Sequence, residues 1–310
     1  MSFDFTTVNA PFRMQPGLRR LAPGATQLTP NRLGSRALAE KLATLEGHAA
    51  QALLSSPGFD ARPALHGLAA HAAVEQPGAF EWDGARLWHA RELGWSLRDD
   101  LPEGDGPPAI GACLRALPAE SRAAALLSLA FAEDFAVIDG ATGGIPWLAV
   151  CLPSHWAPED KIGRHFAQVH APVADNQMLL AAGDHLARLV TGADRWERFV
   201  WTITRHATLD QHPQRCSGAP WPAGVSADTL AARAFFRTER QTFIPLAGLE
   251  QAIFTIHVEM QPLPEAVAMP DHARRVHAAL ASMTPAVLAY RGLAEVREPL
   301  LAWLASRANA

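Results

Sequence analysis

FFRTERQTFIPL, residues 235–246, and QAIFTIHVEMQPL, residues 251–263, read as two long strands, at about 233–245 and 251–262, joined by a short turn. In the first, Arg237, Glu239 and Gln241 alternate with Thr238, Arg240 and Thr242, so neither face is apolar in the middle. Flanking Phe235, Phe236, Phe243 and Ile244 point to buried ends. A solvated edge strand and a buried strand with paired Arg and Glu both remain open, and paired polar groups inside a cavity are frequent where protons move. In the second strand Ala252, Phe254, Ile256, Val258 and Met260 form an apolar face. The other face, with Ile253, Thr255, His257 and Glu259, is expected to extend the polar surface of RTERQT, His257 being a secondary and mainly structural candidate.

Outward from this pair, a strand at about 195–206 precedes it, and FAVID, ATGG and IPWLAVCLP after Glu133 and Asp134 read as strand, turn, strand. Helical stretches at 158–170 and 175–191 lie between. Upstream, Asp83-Gly84 inside FEWDGARLWHA is a hairpin signal. Residues 107–132 predict two helices, the second opened by Pro118 and Glu120. Leu38, Leu42 and Leu45 are at helical spacing before a break at Gly47, a further helix covers 60–74, and residues 1–32 read as an extended arm. The last 45 residues return to helix, with Thr284-Pro285 as cap and first turn. Strands clustered in this way predict an α+β protein with an antiparallel or mixed sheet and helices to one side. A Rossmann domain is disfavoured, because GATGG, residues 140–144, lacks GxGxxG spacing and precedes a strand.

With 310 residues, 49% of them hydrophobic, the chain can bury a substantial core, and its net charge of −4 offers no general attraction to nucleic acid. No apolar run approaches the roughly 20 residues of a membrane span, and MSFDFTTVNAPFRM lacks the pattern of a secretory signal, so a cytoplasmic protein without a membrane partner is expected. The three cysteines, Cys113, Cys151 and Cys216, fit neither a disulfide framework nor an iron-sulfur cluster.

CLPSHWAPEDKIGRHFAQVHAPV, residues 151–173, is the second segment with chemical potential. Ile162, Phe166 and Val169 make an apolar stripe on the expected helix, His170 falls on that stripe, and Ala171-Pro172 ends the helix. An imidazole held at a helix end is either a haem or metal ligand or a core histidine bonded to a carbonyl, and spacing leaves both open. His165 borders the same face, and His155 reads as a loop residue. A zinc site of His206, His212 and Cys216 fits no common spacing. No G-x-S-x-G elbow exists, and Ser154 has no special context.

Taken together, EDFAVIDGATGGIPWLAVCLPSHWAPEDKIGRHFAQVHAPV, RTERQT and FTIHVEMQPL resemble the haem-dependent oxidative N-demethylases of the α-subunit type, related to dimethylamine monooxygenase. PFRMQPGLRRL and LAYRGL look like that family too, and the ordered set PSxWxPxxKxG, HxPV and RxERQT carries the likeness. The resemblance implies a PAS-like antiparallel sheet with flanking N- and C-terminal helices. It divides the chain into an arm with packed helices (1–75), a haem-binding core (76–265) and C-terminal helices (266–310). It implies non-covalent haem b, O2, a secondary amine demethylated with release of formaldehyde, and separate flavin and iron-sulfur reductase subunits. Residue by residue, HxPV makes His170 the axial ligand and RxERQT makes Glu239 the distal carboxylate. Arg237 is expected to hold that carboxylate ionised or to contact a haem propionate; Lys161 and Arg240 are further propionate partners, and Trp156 a cofactor contact. His257 departs from the Arg expected there. A haem-binding PAS-like sensor or carrier without turnover is the alternative, and a cofactor-free interaction protein the third reading.

Overall fold

The computed structural model describes residues 3–216 and 218–309. In chain order its strands are β1 (Arg19–Arg20), β2 (Leu53–Ser55), β3 (Phe80–Trp82), β4 (Leu87–Ala90), β5 (Trp95–Arg98), β6 (Leu101–Gly104), β7 (Asp134–Asp139), β8 (Trp147–Ala149), β9 (Trp196–Thr204), β10 (Phe235–Leu246) and β11 (Gln251–Pro262). The helices are α1 (Arg36–Ala52), α2 (Arg62–Glu75), α3 (Pro108–Ala116), α4 (Ala119–Ala130), α5 (Phe166–His170), α6 (Gln177–Ala181), α7 (Gly183–Val190), α8 (Ala227–Ala232), α9 (Leu263–Ala266), α10 (Pro270–Ala281), α11 (Pro285–Tyr290) and α12 (Arg297–Ala308). Two antiparallel sheets result, one in the order β1-β9-β10-β11-β7-β8-β2 and one in the order β3-β4-β5-β6. The protein is α+β.

β10 is central, not an edge: it pairs along its whole length with β11 and over Phe235–Phe243 with β9. Partners opposite one another in an antiparallel pair share a face. Arg237, Glu239 and Gln241 therefore lie with Thr202, Val200 and Arg198 of β9 and with Met260, Val258 and Ile256 of β11. This corrects the expectation for β11, since its apolar set shares the face of Glu239 while His257 stands opposite Arg240. On that reverse face His257 Nδ1 sits 3.2 Å from Glu133 and 3.3 Å from Thr29 Oγ1.

Helices cover both faces, where one was expected. On the reverse side, Phe135, Val137, Ile244 and Ile253 pack into one core with residues of α1, α2 and α4. On the front, Ala187 and Val190 of α7 close over Ile138, Phe243 and Ala252. The front is thus apolar at that end and polar in the middle, where Arg237, Glu239 and Gln241 stand. A further core joins Phe236, Trp201 and Ile203 to α8, α10 and α12.

The N-terminal arm is extended, as its Pro and Gly content predicts, and it touches both faces. Gln27 Nε2 donates to Thr242 Oγ1 (3.0 Å) and Phe243 O (2.9 Å) on the reverse, and Arg240 Nη1 donates to Thr26 O at 2.8 Å. Beneath it, Lys41 of α1 and Asp134 of β7 form an ion pair at 3.1 Å, both fully buried.

The expected helix over 158–170 is two pieces, a single 3-10 turn at Pro158–Asp160 and α5. Gly163 at φ +71 breaks it, and the intervening backbone bonds to the turn after β7 instead: Gly163 N donates to Ile145 O (2.8 Å) and Ile145 N to Arg164 O (3.1 Å). Likewise 175–191 is α6 followed by α7. The Asp83-Gly84 hairpin forms, Asp83 Oδ1 accepting from the amides of Ala85, Arg86 and Leu87, but β5 and β6 extend it to four strands. The indole of Trp95 of β5 packs against α3 at Gly111, where a Cβ would fall 2.1 Å from its nearest ring carbon. Gly111→Ala is therefore expected to destabilise by roughly 1–3 kcal/mol despite alanine's better helix propensity. A urea unfolding midpoint at or above the wild-type value would refute this.

Candidate cofactor and substrate cavity

Between the front face of the large sheet and the 153–191 segment lies a cavity of about 550 Å³. Its floor is β7, β8, β9, β10 and β11, and its roof is α5 to α7. Met14 and Leu18 of the arm and Tyr290 to Gly292 of the C-terminal region close its sides. Ile138, Leu148, Val150, Val190 and Phe254 give it largely apolar walls.

His170 enters from the roof. His165 caps α5: its Nδ1 accepts from Ala167 N, its own amide donates to Gln168 Oε1, and its Nε2 lies 2.9 Å from Asp184 of α7. The short helix thus fixed carries His170 on its last turn. Phe166 O, 2.8 Å away, accepts from His170 Nδ1, and the Phe166 ring lies against the imidazole, centroids 4.0 Å apart. The bond assigns the proton to Nδ1 and leaves Nε2 with its lone pair. Burial pushes the imidazole pKa down to about 4, so the ring is neutral and its lone pair available at neutral pH.

Glu239 rises from the floor. Arg237, 1% exposed, donates from Nη1 to Leu209 O (2.7 Å) and from Nη2 to Leu152 O (3.0 Å). Its Nε donates to Ser154 Oγ at 2.8 Å, and Ser154 in turn donates to Glu239 Oε1. Gln241 Nε2 donates to Glu239 Oε2 at 2.6 Å. Arg237 and Glu239 are joined through the serine hydroxyl.

Among the described residues, five cationic side chains, Lys161, Arg198, Arg205, Arg237 and Arg291, line the cavity against the single carboxylate of Glu239. Arg198, Arg205 and Arg291 each have a buried Nε without a hydrogen-bond partner. Burial lowers the pKa of Arg198, and that of Arg291 to about 10. Buried charges of one sign call for a counter-charge.

Of the residues singled out in the sequence, the cavity brings together His170, Lys161, Trp156, Arg237 and Glu239. Arg240 is not among them. It lies on the reverse face with its Nε and Nη2 3.0 Å from Glu197, so the alternation of β10 that admits Glu239 turns Arg240 away from the cavity. Lys161 Nζ donates to Val169 O at 3.1 Å and faces the cavity. His155, at φ +60, lines the cavity beside His206, ring centroids 5.2 Å apart, and burial lowers its pKa to about 4. His212 is bonded to Glu159 at 3.2 Å, and no group of three metal-binding side chains occurs among the described residues.

Sequence reasoning missed Ser154, Arg198, Arg205 and Arg291. A signal existed for Arg198, a lone cation within WERFVWTIT, and none for Ser154, whose role appears only when its loop meets β10.

Among the described residues no helix is long and apolar enough to cross a membrane. No curated protein matches the chain. The pattern of the family described as haem-dependent oxidative N-demethylase, alpha subunit-like, matches residues 77–301, well over half the length. That span contains α5 with His170, the Ser154 loop and all of β9 to β11. The chain belongs to the haem-dependent oxidative N-demethylase, alpha subunit-like family.

Proposed function

We propose that this chain is the haem-carrying subunit of a monooxygenase that demethylates a secondary amine, with His170 Nε2 as the iron ligand and Glu239 as the receiver of the amine nitrogen. The observation that carries the reading is His170 itself: a neutral imidazole, anchored through Nδ1 to Phe166 O, with Nε2 uncommitted beside a large cavity. Anchoring one ring nitrogen to a backbone carbonyl is the usual means of orienting a ligating histidine.

The remaining residues fit haem b. The cavity volume and apolar walls suit a large flat ring. The guanidinium Nε atoms of Arg198, Arg205 and Arg291 suit two propionates, as does Lys161. The five strands β8-β7-β11-β10-β9, first pair beside the last strand and helices α5 to α7 inserted before β9, support a PAS-like core within 76–265.

Bound haem supplies the oxygen activation that hydroxylates a methyl C–H, and the carbinolamine so made collapses to formaldehyde and the smaller amine. The chain does the rest. Glu239, with one donor on each oxygen, keeps lone pairs for an alkylammonium N–H and can take up its proton. Apolar walls hold the methyl group and exclude bulk water. Electrons come from separate flavin and iron-sulfur reductase subunits, placed with this chain in the cytoplasm.

The test is a spectrum of the purified chain loaded with haemin, with and without dithionite and carbon monoxide, followed by reductase-driven release of formaldehyde from dimethylamine. A Soret band and amine-dependent formaldehyde are expected. Glu239→Gln should retain the band and lower turnover about 100-fold. Failure to take up haemin would overturn the proposal, and haem binding with no turnover of any secondary amine would replace it with a carrier or sensor.

A further inference from the structure

We infer that Ser154 is a positioning residue for Glu239, the hydroxyl that fixes the carboxylate in the orientation that receives a cationic nitrogen. The inference rests on the proposed role of Glu239 and adds what sets its geometry.

A serine hydroxyl has one proton and two lone pairs, and it rotates to suit its neighbours. Here it has no freedom. Arg237 Nε–H occupies a lone pair at 2.8 Å, and a guanidinium cannot accept a bond in return. The hydroxyl proton must therefore point elsewhere, and Glu239 Oε1 is the acceptor within reach. Arg237 is itself oriented by its bonds to the carbonyls of Leu152 and Leu209. Direction passes from the guanidinium through the hydroxyl to the carboxylate.

The loop carrying Ser154 is held independently. Its residue bridges Gln211, with His155 N donating to Gln211 O (3.1 Å) and Gln211 N to Pro153 O (3.0 Å). On the other side Gln241 Nε2 fixes Oε2. With both oxygens tied, the carboxylate plane is set, and its remaining lone pairs are those available to a ligand N–H. The charges around it are Arg237 on its own strand, Arg198 from β9 and Arg291 from the C-terminal region, with Tyr290 nearby. A carboxylate free to rotate would turn toward one of these cations. Ser154 holds it for the substrate instead.

The test uses infrared difference spectroscopy of the haem-loaded chain. The carboxylate stretching band of Glu239 is identified as the band lost in Glu239→Gln. Ser154→Ala is expected to shift that band and to weaken dimethylammonium binding about 10-fold by calorimetry. Ser154→Thr, which keeps the hydroxyl, should restore both, and the Soret band should be unchanged in each variant. A serine that only packs its loop would leave the band in place or would not be rescued by threonine. If Ser154→Ala does not fold, Ser154→Cys, similar in size with a weak donor, should shift the band in the same direction by less. An unmoved band in either variant overturns the inference. Because the band is read without turnover, absence of demethylase activity bears on the function alone.

Discussion

His170→Ala is expected to lose the Soret band on purification and to weaken haemin binding by about 100-fold or more, the scale on which even supporting residues of a metal site act. The argument is one of valence. The imidazole is neutral, its Nδ1 proton is committed to Phe166 O, and the side chain lines the cavity with Nε2 uncommitted. No other histidine on the cavity combines these features, since His155 Nε2 already lies 3.4 Å from Thr204 Oγ1. His170→Gly is expected to recover a Soret band on addition of free imidazole, which can enter the space the side chain leaves. Tight, imidazole-independent haem binding by both variants would show that another group holds the iron.

Lys41→Met is expected to cost about 3–5 kcal/mol, because it leaves the buried Asp134 carboxylate without its cation. The pair is 3.1 Å apart, and Lys41 Nζ also donates to Phe131 O and to Glu133 O. Asp134 Oδ2 in turn accepts from Leu152 N at 2.7 Å, two residues before Ser154. Burial raises the Asp134 pKa on balance, and the charge of Lys41 and the backbone amides of Leu152 and Cys151 oppose the rise. Lys41→Met with Asp134→Leu should recover much of the loss, since both charges are then gone. Urea unfolding of the three variants checks the set; a loss below about 1 kcal/mol for Lys41→Met alone would mean that Asp134 is neutral in the native protein.

Much of the architecture was legible because it follows from period and punctuation. β10 and β11 are long and bounded by turn residues, and α1, α2 and α4 carry helical spacing. Thr284 caps α11 as its sequence predicts, accepting from Val287 N. What was not legible depends on partners distant in the chain. Nothing local says that Gly163 adopts φ +71, or that the backbone at 163–165 bonds to 143–145 in place of its own helix. β5 and β6, four residues each, are too short for a periodic signal; β5 forms on the edge of β4, and β6 on the edge of β5. His170 and Glu239, which share the cavity, were singled out from motif likeness, since spacing alone left each with a structural reading. Arg240 shows the limit of motif reasoning: it sits inside RTERQT yet faces away from its neighbours' cavity.

The arm and α1 lie outside the 77–301 segment by which the family is recognised, yet Met14 and Leu18 wall the cavity and Lys41 neutralises Asp134. The unit of recognition and the unit of assembly thus differ. A comparison of relatives restricted to the shared segment would show Asp134 as a buried carboxylate bonded to Leu152 N with no cation to balance it. That cation is written ninety-three positions earlier, in a stretch that such a comparison omits. A change at position 41 or at position 134 alone leaves the other member of the buried pair without its counter-charge, so the physical unit of this fold extends beyond the segment that carries its family's pattern.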